Sequence, residues 1–378
     1  MPECIAAGAD TPKDGTSDWA TWYANFRRVR SGPDALPPAN TAPAHETVFI
    51  GHMDTGYTDH PKLDATRIDS GIGANLVEGK RRDARTPIEA LPVRPEPSFQ
   101  NHGTATMSVV IGTNPIKDAC DNIMMAPYRV SERVVLRTAD LERLAEAIGL
   151  FTERMLNERG GGFPHVVSMS LGTRGSNMPV GPFTGKTALR KVIRAYTKMG
   201  VIFVAAAGQA PPFAKPGQVV VGVIDGMFEV YKNSIKVAFP ASIKEVIGVG
   251  SIDIHGKPNL AGFYDGAEID VMAPGMDIRM ARSYRTSAGA LDPQVETSDG
   301  SSYATQYTAA AAAMWIRHHG KHHLRTSYGL DRTTDVFRHC LKESSSPAHP
   351  DWWHLTKAGR LNLDCLLRQP LPNPADLP

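Results

Sequence analysis

Leu141, Leu144, Ile148, Phe151 and Met155 recur at steps of three and four, Gly160-Gly161-Gly162 follows, and His165-Val166-Val167-Ser168-Met169 comes next. The first spacing is one face of an amphipathic helix, the glycines end it, and the short apolar run reads as a strand. The pattern then repeats. Leu189, Val192, Ile193 and Tyr196 mark a second helical face, Gly200 stops it, and Val201-Ile202-Phe203-Val204-Ala205 reads as another strand. Near-continuous apolar strands alternating with amphipathic helices predict a parallel sheet covered on both faces. Working outward, Val48-Phe49-Ile50-Gly51-His52-Met53 reads as the first strand and Val246-Ile247-Gly248-Val249 as a later one. The Ala-rich run from Tyr303 to Ile316 reads as a buried helix whose small side chains let it sit close to the sheet. The expected fold class is α/β, with three layers α/β/α around a mostly parallel central sheet, in one domain over residues 47–368. An anchoring segment is expected at 1–46, where Trp19, Trp22, Tyr23 and Phe26 cluster, and a Pro-rich tail at 369–378.

The composition narrows the function classes. With 378 residues and a hydrophobic fraction of 42%, the chain has material for a sizeable core. A formal net charge of +2 supplies no strong field, so neither nucleic acid nor anionic lipid is an expected partner. No run of 18 apolar residues occurs, which argues against a spanning helix. The opening residues lack the basic and long apolar regions of a secretory signal, so a cytoplasmic location is expected, or secretion if the chain is a trimmed mature form. Cys4, Cys120, Cys340 and Cys365 are too scattered for a disulfide scaffold or a CxxC zinc site, and a Cys340–Cys365 pair stays open. Gly and Pro together make about one residue in six, which suits a loop-rich enzyme better than a helical bundle.

Ligands of open α/β sheets gather beyond the carboxyl ends of the strands. Three short motifs fall where such ends are expected: Asp54-Thr55-Gly56, His102-Gly103-Thr104 and Gly300-Ser301-Ser302-Tyr303-Ala304. Each alone is weak. In the order Asp, His, Ser they offer an acid to orient, a base to accept a proton and a nucleophile at a helix start. Serine needs that help, because its hydroxyl is hardly ionised at neutral pH.

With Ser168-Met169-Ser170-Leu171-Gly172 and Ala205-Ala206-Ala207-Gly208, five ordered segments resemble a subtilisin-like serine peptidase, a subtilase. Phe239-Pro240-Ala241, Asp270–Gly275 and Gly359-Arg360-Leu361-Asn362 are also similar to family segments. The resemblance implies an endopeptidase with Asp54, His102 and Ser302 as its triad. It implies an oxyanion hole built from the Ser302 N–H, at a helix N-terminus, and the side chain at 209. Ser301 is read as a structural hydroxyl. Ser170, Leu171 and Gly172 would pair with the substrate backbone, and Ala206, Ala207 and Gly208 would line one wall of the pocket for the side chain preceding the cut. The implied partner is a peptide or protein substrate.

The sequence also departs from the family. Gln209 stands where the oxyanion Asn is usual, so either it donates from a shifted backbone or the site is slow, conditionally assembled or inactive. On the last reading the chain is a catalytically silent peptide-binding or regulatory module. Gln306 replaces the usual Pro and is expected to be merely tolerated. The spacings are long, 48 residues from Asp54 to His102 and 200 from His102 to Ser302. The added chain lies partly in 57–101, where Lys80-Arg81-Arg82-Asp83-Ala84-Arg85 reads as a solvated loop or a cleavage or acidic-substrate site. More lies in 210–239, where Val219–Ile224 and Phe228–Val237 bracket a hairpin turn at Asp225-Gly226 that would shape the cleft. No cofactor is expected: at 112–122, where the family's calcium loop lies, Pro115 and Lys117 disturb the ligand pattern, and a turn is expected. His318-His319 and His322-His323 read as a solvated helix end rather than a metal site, and Trp352-Trp353 as packing.

Overall fold

Eleven strands and seven α-helices can be named in the computed structural model, which describes residues 47–78, 101–113, 122–158, 162–173, 184–208, 219–224, 227–232, 237–259, 269–346 and 358–377. In chain order the strands are β1 (Val48–Asp54), β2 (Ala74–Asn75), β3 (Ile123–Arg129), β4 (His165–Met169), β5 (Val201–Ala206), β6 (Val219–Ile224), β7 (Met227–Lys232), β8 (Val246–Ile252), β9 (Val271–Pro274), β10 (Ile278–Arg285) and β11 (Leu291–Ser298). The helices are α1 (His102–Ile111), α2 (Thr138–Glu158), α3 (Thr184–Thr197), α4 (Ser301–His319), α5 (Lys321–Tyr328), α6 (Thr333–Ser344) and α7 (Leu363–Arg368).

Seven strands form one sheet in the order β2-β3-β1-β4-β5-β8-β9, each neighbouring pair parallel. Successive side chains of a strand point to opposite faces, and β1 shows the consequence. Val48 and Ile50 join the core formed with α1 and α4, whereas Phe49 and Met53 join the core formed with α2 and α3. These are the expected three layers. Helix α4 bears out its composition: Ala309 to Ala313 are fully buried, which larger side chains would prevent at that distance from the sheet. At the far edge Met272 of β9 bonds the strand-like segment after Ala358, donating its N–H to Gly359 O at 2.9 Å and accepting from Leu361 N–H at 2.8 Å.

Two features escaped the sequence reading. The antiparallel hairpin β10–β11 leads straight into the Gly300–Ala304 motif, and β3 pairs with β1 along its whole length. The β6–β7 hairpin is present, Val219–Ile224 pairing with Met227–Lys232, with its turn residues Asp225 and Gly226 and residues 233–236 outside the described residues. The expected 369–378 tail docks on the body: Tyr328 donates its hydroxyl to Pro372 O, and Leu377 is buried in the α1–α4 core. The aromatic cluster of the first 46 residues, the 80–85 basic run, Cys4, Cys120 and Trp352-Trp353 lie outside the described residues. No disulfide joins Cys340 and Cys365. Among the described residues no helix is long and apolar enough to cross a membrane, and no group of three His, Cys, Asp or Glu is arranged to hold a metal ion.

The histidine pairs need a correction. His322 is exposed, but His319 is buried, its ring edge-on to Trp315 at 5.2 Å and to His318 at 4.8 Å. Burial pushes its ionisation down to about 3, with the charges of His318 and His323 acting in the same direction. The unfolded ring takes a proton near 6.5, so between about 6.5 and 3 the unfolded chain binds more protons and stability falls as pH falls. Urea denaturation is predicted to show His319→Phe losing less stability than the native chain between pH 7 and pH 5. An equal loss would contradict the assignment of His319 as a neutral core residue.

Candidate active site

The carboxyl end of β1 delivers Asp54, which is 0% exposed. Its Oδ1 accepts from the Thr55 N–H at 2.7 Å and from His102 Nδ1 at 2.7 Å. Its Oδ2 accepts from the Thr106 hydroxyl at 3.2 Å. Burial pushes the Asp54 carboxyl up, but the His102 charge and hydrogen bond, His52 and the Thr55 N–H together hold it below its ordinary value. Asp54 is therefore the ionised partner, and the imidazole proton it accepts lies on Nδ1. That tautomer leaves Nε2 of His102 with its lone pair, as a base requires.

Local packing explains why these two motifs meet. Gly103 donates its N–H to Thr55 Oγ1 at 3.0 Å, and a Cβ at this glycine would lie 1.8 Å from the Gly56 carbonyl oxygen. Only glycine permits that approach. Asn101, in the left-handed region at φ 63, precedes the helix. It donates to Thr58 Oγ1 at 3.1 Å and Thr104 Oγ1 at 3.0 Å, and accepts from the Ser283 N–H of β10 at 2.7 Å. The start of α1 is thereby tied to the loop after β1 and to the hairpin that leads toward Ser302.

Ser301 and Ser302 open α4. Ser301 donates to Gly208 O at 3.2 Å, the structural part expected of it. Ser302 and Ser170 bond reciprocally: Ser302 Oγ donates to Ser170 O at 3.0 Å, and Ser170 Oγ donates to Ser302 O at 2.8 Å. The Ser302 proton is thus directed at the Ser170 carbonyl rather than at His102. The next residue, Tyr303, stands close enough to Asp54 to feel its charge. Gln306 is more than tolerated. Fully buried, it donates from Nε2 to Ser170 Oγ at 2.9 Å and Ser168 Oγ at 3.3 Å, so α4 grips the end of β4 through a side chain that proline lacks.

The segments expected to bind substrate also come together. Ala238, which sequence reasoning missed, sits between them: it donates its N–H to Ala207 O at 2.8 Å. A Cβ added at Gly172 would lie 3.3 Å from the Ala238 methyl, and one added at Gly208 would lie 3.0 Å from it. Gly208 also has φ 99, a conformation glycine adopts without strain. Leu171 and Ala207 direct their side chains into the α2–α3 core, so they present backbone to the cleft. Gly172 is already paired, its N–H with Val134 O at 3.2 Å and its carbonyl with Leu136 N–H at 3.0 Å. Of the expected recognition strand, Ser170 and Leu171 remain for a substrate main chain. Ala206 is buried at the end of β5. Gln209 and most of the 112–122 loop lie outside the described residues.

A family model described as the subtilase family matches residues 45–350. Subtilisin DY of Bacillus licheniformis is 28% identical over 178 residues, which are 45% of this chain and 55% of that protein. The chain thus spans about half the length of that relative. Among solved structures, the prenylagaramide maturation protease PagA is similar in fold, with TM-score 0.54, 19% identity, and coverage of 85% of this chain and 92% of that one. MycP1 with its N-terminal propeptide removed has TM-score 0.59 and 16% identity, covering 94% of this chain and 99% of that one.

The Gly103 contact generates a direct test of the interlock. Gly103→Ala is predicted to cost more than ~2 kcal/mol in urea denaturation, because backbone must move to admit the methyl. Gly149→Ala, whose new Cβ meets only Tyr196 Oη at 3.6 Å within α2, should be neutral or stabilising by up to ~1 kcal/mol. Equal effects at the two positions would refute the close approach.

Proposed function

The chain belongs to the subtilase family, and from that premise we propose that it is a serine endopeptidase in which Asp54 orients His102, His102 is the base and Ser302 is the nucleophile. The buried 2.7 Å bond from His102 Nδ1 to Asp54 carries this reading, because it fixes the tautomer that makes Nε2 a base. A substrate strand laid along Ser170 and Leu171 competes through a main-chain N–H for the Ser170 carbonyl. The Ser302 hydroxyl, displaced from it, turns to His102.

Ser302 Oγ adds to the substrate carbonyl carbon as His102 takes the hydroxyl proton. The C–N bond breaks, and His102 returns that proton to the departing amine. Water then adds to the ester as His102 takes one of its protons, the Ser302 Oγ–acyl bond breaks, and His102 returns that proton to Ser302 Oγ, releasing the carboxylic acid. The developing oxyanion is met by the Ser302 N–H, on the first turn of α4 where backbone donors have no partner within the helix, and by the amide of Gln209. No step in this scheme requires a cofactor.

We further propose a processing or maturation role on one dedicated peptide segment. PagA, similar in fold, is a maturation protease by name, which supports this reading.

Labelling with a fluorophosphonate probe is predicted to modify the native chain and not Ser302→Ala. No labelling of the native chain would favour the silent peptide-binding module instead. Gln209→Asn, which shortens the donor arm by one methylene, is predicted to raise turnover, and Gln209→Ala to lower it by about a hundred- to a thousandfold, the scale known for this donor in subtilisin itself. Unchanged turnover in both variants would remove Gln209 from the oxyanion hole.

A further inference from the structure

On β1, His52 and Asp54 point to the same face, both are fully buried, and both meet α1. His52 Nε2 lies 2.9 Å from Thr106 Oγ1 and 3.8 Å from Asp54 Oδ2, the second distance too long for a hydrogen bond. Thr106 Oγ1 has four neighbours for one proton: His52 Nε2, Asp54 Oδ2 at 3.2 Å, His102 O at 3.1 Å and Gly103 O at 3.2 Å. Its usual partner in a helix is the carbonyl four residues back, here that of His102.

The other ring nitrogen of His52 decides where the proton goes. Nδ1 is buried and has no hydrogen-bond partner among the described residues. A buried N–H without a partner costs more than a bare lone pair, so the proton of the neutral ring lies on Nε2 and is donated to Thr106 Oγ1. Thr106 cannot then donate to His52. Among the oxygens left, the ionised carboxylate is the strongest acceptor. We propose that His52 and Thr106 are positioning residues that form a two-step relay, His52 Nε2–H to Thr106 Oγ1 and Thr106 O–H to Asp54 Oδ2, fixing the catalytic carboxylate from behind and setting the pH at which the Asp54–His102 pair takes up a proton.

Three observations fit this assignment. Burial pushes the His52 ring down to about 4 against the upward pull of Asp54, with His102 also lowering it, so at neutral pH it is the uncharged donor the relay needs. Two apolar side chains would fill this space without the desolvation cost of two buried polar groups. The other charged and titratable groups near the pair are engaged elsewhere: Arg129 of β3 donates to the Thr55 carbonyl at 2.6 Å and pairs with Glu78 at 2.8 Å, while the Tyr303 hydroxyl of α4 is bonded to Ser298 and Arg282.

The inference rests on the reading of Asp54 as the orienter and His102 as the base, and its test includes one readout, the His102 resonances, that does not depend on turnover. In Thr106→Val the carboxylate loses one charged hydrogen bond, its affinity for a proton rises, and the charge it presents to His102 is less dispersed. The acid limb of kcat/KM on a peptide, and the pH at which the His102 ring resonances move in the histidine-labelled full chain, should both rise by roughly one unit. kcat should fall more than KM changes. Thr106→Ser should restore both midpoints. Should Thr106→Val fail to fold, His52→Leu is the second variant: it frees the Thr106 proton to return to the His102 carbonyl and should move the midpoints the same way. A folded Thr106→Val or His52→Leu chain that titrates as the native one would overturn the proposal, as would Thr106→Ser behaving like Thr106→Val. A native chain that hydrolyses no peptide, yet whose His102 resonances move with Thr106→Val, would refute the peptidase reading and support the relay.

Discussion

The bond between Asp54 and His102 is the constraint on which the site depends. Burying a carboxylate costs several kcal/mol unless its lone pairs are occupied, and three donors occupy them: the N–H of the next residue, Thr55, and two side chains one turn apart on α1, His102 Nδ1 and Thr106 Oγ1. Those donors stand in place because β1 lies inside the sheet between β3 and β4, with α1 laid across its end. The fit is tight enough that Gly103 admits no side chain against Gly56. Charge, hydrogen bonds and packing therefore stand or fall together at this point.

The serine end is held by a different device. Ser170, just past β4, bonds the Ser302 backbone and hydroxyl, receives Gln306 and adjoins the expected substrate path. Ser301 ties the same helix to Gly208 beyond β5. Ser302, the proposed nucleophile, is thus anchored to the segments expected to recognise substrate. The fold meets the general rule that chemistry collects where parallel strands end, with polar contacts there and apolar packing through the rest of both layers.

Much of this was legible in the sequence where local pattern and burial agree. His165–Met169 and Val201–Ala205 read as strands because runs of mainly apolar or small residues suit a strand covered on both faces, and the structure extends the second to Ala206. The helices α2 and α3 read from their one-sided periodicity. Helix α1 carries no such stripe, since all ten of its residues are buried and its pattern is uniform. The hairpin β10–β11 hid for the opposite reason: Arg279, Arg282, Arg285, Asp292 and Gln294 give it few apolar markers, and its order comes from cross-strand pairing. Gln306, Ala238 and Thr106 owe their places to partners far along the chain, 136 residues away for Gln306 and Ser170, and no local signal announces such contacts. His52 and His319 illustrate a further limit. Histidine in a strand or helix reads as polar, yet both rings are buried and pushed toward the neutral form, first by burial and then by neighbouring charges, none of which local sequence announces.

The central claim is that a buried, ionised Asp54 holds the Nδ1 proton of His102 in the resting protein. Proton NMR of the unliganded chain at neutral pH tests it most directly. A far-downfield, slowly exchanging Nδ1 proton assigned to His102, present in the native chain and lost in Asp54→Asn, is the predicted result. A His102 Nδ1 proton that exchanges freely with water, or one that is unchanged by Asp54→Asn, would contradict it.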